Sequence, residues 1–237
     1  MKSTTIIKNK LKILLEKTVK KKEREEININ NRGNLKNTSF SIISQNCNGG
    51  IIYHDLGLKF LSPTINLYIK PKDFIKFLKN MDHYIEYDPI NVSSKNREFP
   101  VMLIDDIEIF CVHYKTFEEA RNKWNIRKKR INKNNLFIIM NERDNCSYED
   151  IVEFDKLDYN NKVIFVSKEM PEINSSFYIK GSEDISNSEH GIVSLVKYKS
   201  ILSGRRFIDD FDYVSFLNKE TKYNKEYVER SIRKWKF

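Results

Sequence analysis

The chain predicts an α/β fold: a mostly parallel or mixed sheet with helices on both faces, preceded by a basic N-terminal helix. Three observations carry this. Short apolar runs of strand length, among them "FSIISQ" (40–45), "NLFIIM" (135–140) and "KVIFVS" (162–167), alternate with stretches of helical periodicity. "NLFIIM" is nearly all apolar rather than apolar–polar, as befits a strand covered on both faces. Gly (7) and Pro (5) are too scarce among 237 residues for a repetitive, turn-rich β architecture.

Taken in order, Ile7, Leu11, Leu14, Leu15, Thr18 and Val19 share one helical face, with Lys8, Lys12, Lys20 and Lys21 around it. Such a basic amphipathic helix either lies on an anionic membrane surface or packs on the body of the protein. Residues 27–37, rich in Asn with one Gly, read as a linker. The first strand, 40–45, leads to Gly49-Gly50 and a short helix through Leu56. "TINLYI" (64–69) is a second strand, and Pro71 opens a helix carrying Phe74, Phe77, Leu78 and Met81 on one face. "VMLI" and "IEIFCVH" flank Asp105-Asp106 as a hairpin or as one bent strand. Thr116 and Glu119 have capping-box spacing and start a helix to about Ile131, read as a crossover between two strands. Ser147 starts another helix, "SSFYI" (175–179) is a further strand, and "IDDFDYVSFLNK" is a late helix. The organisation is thus a basic helix and linker over 1–36, an α/β domain over 37–220 and a basic tail over 221–237.

Charge is concentrated at the ends. Residues 1–36 hold 11 Lys or Arg against 4 Glu, and residues 221–237 hold 6 against 2. Of the formal net charge of +9, nothing positive remains for 37–220. A body without a basic face argues against specific nucleic-acid binding. Cys47, Cys111 and Cys146 are unclustered, so neither a disulfide framework nor a Cys/His metal site is expected, and no cofactor motif is present. With no apolar run of membrane-spanning length and no secretory h-region, the expected location is the cytoplasm.

Ligands of open α/β sheets bind beyond the carboxyl ends of the strands. That rule collects Cys47, Asp105-Asp106, His113-Tyr114, Arg143-Asp144 and Ser167-Lys168. Cys47, between a strand and a helix start, is a small buried residue, a turn beside an anion, or a thiolate nucleophile. Gly49 and Gly50 would let an anion approach the backbone. His54, about two helical turns on from Cys47, is a poor base for it. His113 serves if its strand runs parallel to the first. If Asp105-Asp106 is a hairpin turn, His113 and the Asp pair lie at opposite edges. The two Asp residues are either a turn or Mg²⁺ ligands beside a pyrophosphate. Lys123, Arg127 and Arg130 share a helical face suited to gripping phosphate or carboxylate, or simply solvated, with Trp124 on an adjacent one.

Several segments together resemble a known family. "NCNGGIIYHDLGLKFLSPTINLYI", "PKDFIKFLKN", "FPVMLIDDIEIFCVHYKTFEEARNKWNIRKKRIN", "LFIIMNERDNCSYEDIVEFDKL" and "NKVIFVSKE" are similar, in order, to a bacterial domain-of-unknown-function family found among exopolysaccharide, capsule and lipopolysaccharide biosynthesis proteins. The matching positions include Cys47, Gly50, Tyr53, Ser62, Pro63, Asp106, His113, Tyr114, Trp124, Arg127, Arg130 and Asp144. The resemblance implies an α/β fold and a place in surface-glycan assembly, without assigning a role to any residue.

Residues and resemblance combined lead to the expectation of a glycosyl or acyl transferase acting on a surface-polysaccharide precursor. The alternatives are a non-catalytic binder of phosphorylated or lipid-linked saccharide and a cysteine-dependent hydrolase. The expected catalytic set is Cys47, His113 as general base and Asp106. The expected substrate or anion contacts are Gly49, Gly50, Tyr53, Tyr114, Trp124, Arg127, Arg130 and Asp144. Its partners would be a nucleotide-activated sugar, acyl donor or glycan precursor, and an anionic membrane inner face touched by residues 1–36.

Overall fold

The computed structural model describes residues 2–94, 96–184, 191–200 and 203–220, with side chains from Thr18 onward. The expected basic tail over 221–237 and the side chains of 2–17 lie outside the described residues.

Strands β1 (Ser41–Ser44), β6 (Leu136–Asn141), β7 (Lys162–Val166) and β8 (Ser176–Tyr178) form one parallel sheet in the order β1-β6-β7-β8. Its residues are divided between two cores with the period of two that a pleated strand imposes. Ile43, Ile138, Met140, Ile164 and Val166 face one core, and Ile42, Phe137, Ile139, Val163 and Phe165 face the other. Helices cover both faces, as the apolar runs require. Helices α3 (Pro71–Lys79), α5 (Phe117–Lys128) and α6 (Tyr148–Asp155) serve the first core; α2 (Asn48–Asp55) and α7 (Tyr213–Leu217) serve the second.

A second sheet is antiparallel, with the order β2-β5-β4-β3 from β2 (Tyr68–Ile69), β3 (Ile90–Asn91), β4 (Val101–Ile104) and β5 (Ile107–Phe110). Of the two readings of Asp105-Asp106, the hairpin is the one formed: Ile104 faces Ile107, and Asp105 takes φ 53° to close the turn. The helix from Thr116 is not a crossover within one sheet. It joins β5 of the antiparallel sheet to β6 of the parallel one, and everything from Gln45 to Asn135 is inserted between the neighbouring strands β1 and β6.

"TINLYI" yields only the two residues of β2. The reason is that Thr64, with Leu61 and Tyr53 before it, meets the free edge of β1 through side-chain bonds. Ser44 N–H donates to Thr64 Oγ1 (3.1 Å), Ser41 Oγ donates to Leu61 O (2.6 Å), and Ile42 N–H donates to the Tyr53 hydroxyl (3.1 Å). These bonds leave no backbone ladder for residues 62–67 while still covering the edge.

The linker expected over 27–37 is helix as far as Asn34, the end of α1 (Lys2–Asn34). From Lys20 onward α1 is anchored to the body. Arg24 Nη1 lies 2.6 Å from Asp209, Asn31 donates to the Tyr213 hydroxyl (2.7 Å), and Arg32 Nε donates to Asp55 O (2.8 Å). Gly204 is where the helix rests: a Cβ there would lie 2.5 Å from the Arg24 nitrogen and the Lys20 oxygen. Asp209 turns inward to Arg24, which helps explain why the late helix is divided into a 3-10 turn (Phe207–Asp210) and α7, capped by Asp212.

Candidate functional site

The carboxyl ends of β1, β6 and β7 are joined into one polar rim. Asn48 Nδ2 donates to Asn141 Oδ1 (2.9 Å), Asn141 N–H donates to Gln45 Oε1 (3.0 Å), and both Ser167 N–H (2.6 Å) and its hydroxyl (2.9 Å) donate to Glu142 Oε2. Parallel strands leave this end open to ligands, and Cys47 sits on it as the N-cap of α2.

His113 Nε2 lies 3.0 Å from Cys47 Sγ. The two come from different sheets, so strand direction does not govern the contact. What does is β2: Ile69 N–H donates to Gln45 O (2.9 Å) just past β1, while Tyr68 pairs with Phe110 at the end of β5. The end of β5 is thereby tied to the end of β1, and the turn Cys111–Tyr114 carries His113 across. His113 is exposed, whereas Cys47 is half-buried, and burial pushes the thiol up from 9.0 to about 11. Burial thus favours the protonated thiol, and which of the two atoms donates depends on the tautomer of the imidazole. A nucleophilic sulfur requires the thiol proton to pass to His113 as the attack occurs.

Gly49 and Gly50 are both buried. A Cβ on Gly49 would meet Ser44 Cβ at 2.9 Å and Ile42 at 3.0 Å; one on Gly50 would meet Asn66 Oδ1 at 3.3 Å. Gly49 thus lets α2 lie directly on β1 and Gly50 lets it lie against residues 65–66, which together position Cys47. Asp144, with φ 59°, lies on the rim beside Arg143 (3.5 Å) and hydrogen-bonds the Tyr68 hydroxyl, which burial raises above its ordinary value.

The remaining expected residues lie elsewhere. Asp106 is in the hairpin turn at the other end of β5, bonded to Lys76 and to the Tyr84 hydroxyl (3.0 Å). Tyr53 is buried under β1, its hydroxyl donating to Phe40 O (2.9 Å). Trp124 is in the core, packed edge-on to Phe77. Arg127, one of the expected anion contacts, has its guanidinium buried; Nη1 donates to the Tyr114 hydroxyl (2.7 Å) and to Ile65 O (3.3 Å). Lys123 is exposed and Arg130 half-exposed, so Arg127 does not share an open face with them. His54 is exposed beside Asp55. Gln45, Asn48, Asn141, Glu142 and Tyr68 belong to the rim without being singled out by the sequence; only Gln45, Asn141 and Glu142 carry a signal, a polar residue at the end of an apolar strand. Among the described residues no group of three or more His, Cys, Asp or Glu is arranged to hold a metal ion.

Residues 18–218 match the model of the DUF1919 family, described as a domain of unknown function. The chain belongs to that family. It is also 37% identical over 204 residues to an uncharacterized protein of Haemophilus influenzae, covering 86% of this chain and 96% of that one. Against the rim just described, DUF1919 membership spans every residue placed on it, from Gln45 to Ser167. No helix among the described residues is long and apolar enough to cross a membrane.

Proposed function

We propose that this DUF1919 protein is a cysteine-dependent acyltransferase acting on a hydroxyl of a surface-polysaccharide precursor. The observation that carries this reading is the 3.0 Å approach of His113 Nε2 to Cys47 Sγ on the carboxyl-end rim of a parallel sheet. A thiol paired with an imidazole suits attack on an acyl carbon. The Cys47 proton passes to His113 as sulfur attacks the donor carbonyl. The leaving group of the donor departs with that proton, and a thioester remains on Cys47. A glycan hydroxyl then gives its proton to His113, attacks the thioester, and regenerates the thiol.

An acyl donor fits this pair better than a nucleotide-activated sugar. The rim carboxylates are engaged, Glu142 by Ser167 and Asp144 by Tyr68 and Arg143. Exopolysaccharide or capsule precursors enter through the sequence resemblance, and with them a cytoplasmic setting on the inner membrane face. The part of residues 1–36 before Lys20, ahead of the stretch anchored to the body, would provide the membrane contact; no nucleic-acid partner belongs to this reading.

Incubation with a short-chain acyl thioester, followed by mass spectrometry of the Cys47 peptide, tests the proposal. An acyl adduct on Cys47 that a glycan hydroxyl discharges is the expected result; discharge only to water would make the protein a hydrolase instead. No adduct under any donor would eliminate the covalent mechanism.

One observation favours a second reading. The thiol is held protonated by burial, which suits a non-catalytic binder of phosphorylated or lipid-linked saccharide. Saccharide binding of equal strength by the wild type and Cys47→Ala, with no turnover by either, would establish it.

A further inference from the structure

Arg127 and Tyr114 form a buried three-way joint. Tyr114, next in sequence to His113, points its hydroxyl inward and donates to Ile65 O (3.1 Å). Arg127, on α5, donates from Nη1 to that same hydroxyl (2.7 Å) and that same carbonyl (3.3 Å), and its guanidinium lies 5.1 Å from the centre of the Phe60 ring. Each partner belongs to a different part of the site. Tyr114 belongs to the turn that presents His113. Ile65 belongs to the segment lying against α2, where its side chain sits 3.4 Å from the space a Gly50 Cβ would fill. One residue earlier, Thr64 accepts from the backbone of β1. α2 begins at Cys47.

We infer that Arg127 and Tyr114 are positioning residues, which hold His113 in reach of Cys47 by fastening its turn to the segment that backs α2. This rests on the proposed thiol–imidazole chemistry. It departs from the expectation that Arg127 and Tyr114 grip an anionic substrate, because the guanidinium is buried and spends Nη1 on protein oxygens. The physical reason for an arginine is its rigid donor fork, which serves two acceptors at once where lysine's single ammonium is a flexible point charge. Arg127 thereby ties α5 to the His113 turn and to residues 62–67 together.

The test is the pH profile of alkylation at Cys47 by iodoacetamide, read on the Cys47 peptide so that Cys111 and Cys146 do not contribute. Four full-length variants are compared with the wild type: His113→Ala, Tyr114→Phe, Arg127→Lys and Arg127→Gln. His113→Ala defines the profile of a thiol without its base. Tyr114→Phe and Arg127→Gln are expected to move toward that profile and to react about 10-fold more slowly near neutral pH, the scale of a catalytic group misplaced by under an ångström. Arg127→Lys is expected to recover part of the loss. Cooperative melting accompanies each measurement, and Tyr114→Phe, which removes one oxygen only, decides the matter if Arg127→Gln does not fold. Folded Tyr114→Phe with the wild-type profile would overturn the positioning role. A His113→Ala profile identical to the wild type would overturn the thiol–imidazole pair itself, and the positioning role with it.

Discussion

Two histidines stand at opposite ends of β5 and make instructive neighbours. At the hairpin end, His83 Nε2 lies 2.8 Å from Asp105, and its ring meets Tyr84 edge-on and Tyr87 at a tilt, in reach of solvent. Asp106 beside it is paired with Lys76 and Tyr84, which hold its carboxyl below the ordinary carboxylate range. At the other end, His113 meets a half-buried thiol. The first cluster is made of charges that already satisfy one another in water, where such pairs contribute little. The second joins an imidazole to a thiol that burial keeps neutral. Charge density marks the hairpin in the sequence, yet the chemistry we propose belongs to the end with fewer charges.

Replacing the thiol breaks the contrast most strongly. Cys47→Ala should abolish both acyl-adduct formation and transfer, and Cys47→Ser should lose nearly all transfer, as measured by product formation with an acyl thioester. His113→Ala should lower adduct formation by about 10²-fold or more, the usual size of a lost general base; stopped-flow or quenched assays of adduct formation check it. Gly49→Ala sharpens the comparison differently, because it shifts the thiol without touching either histidine. Its Cβ would press on Ser44 at 2.9 Å, so a loss of about 1–3 kcal/mol is expected in urea denaturation, with slower labelling of Cys47. His83→Ala is the smallest: under about 1 kcal/mol of stability and no change in labelling. A labelling defect in His83→Ala would place the hairpin in the site after all.

Titration separates the two ends as well. Burial raises the Cys47 thiol from 9.0 to about 11 in the folded chain, so the folded state favours the neutral form. Stability from this group is complete below pH 9 and is lost as pH climbs toward 11. The melting temperature of Cys47→Ala should therefore decline less steeply than that of the wild type over this interval. Parallel curves would show that the thiol is not desolvated as described.

Much of this was legible in the residues themselves. The all-apolar strands announce a sheet buried on both faces, Ser147 and Asp150 spell out a capping box that is fully formed, and Cys47 and His113 stand out as a thiol and an imidazole just past strands. What was not legible depends on distant partners. Residues 27–34 look like a linker because Asn and Gly are poor helix formers, and the helix exists because Asn31 meets Tyr213 and Arg24 meets Asp209, each more than 180 residues away. The burial of Arg127 was hidden for the same reason: helical spacing shows which residues share a face, not whether Tyr114 and Ile65 will cover one of them.

The insertion between β1 and β6 has a kinetic meaning. Ser41 and Leu136 are neighbours in the sheet, but the chain between them must first close a loop that includes the whole antiparallel sheet. Closure of so long a loop is slow and is not repaid until the distant pairing forms. Cys47 and His113 both lie inside that loop, and the tie from Ile69 N–H to Gln45 O fastens the antiparallel sheet to the end of β1. The contact between Cys47 and His113 therefore depends on the inserted sheet docking against the end of β1, and the slow pairing of β1 with β6 is a separate event.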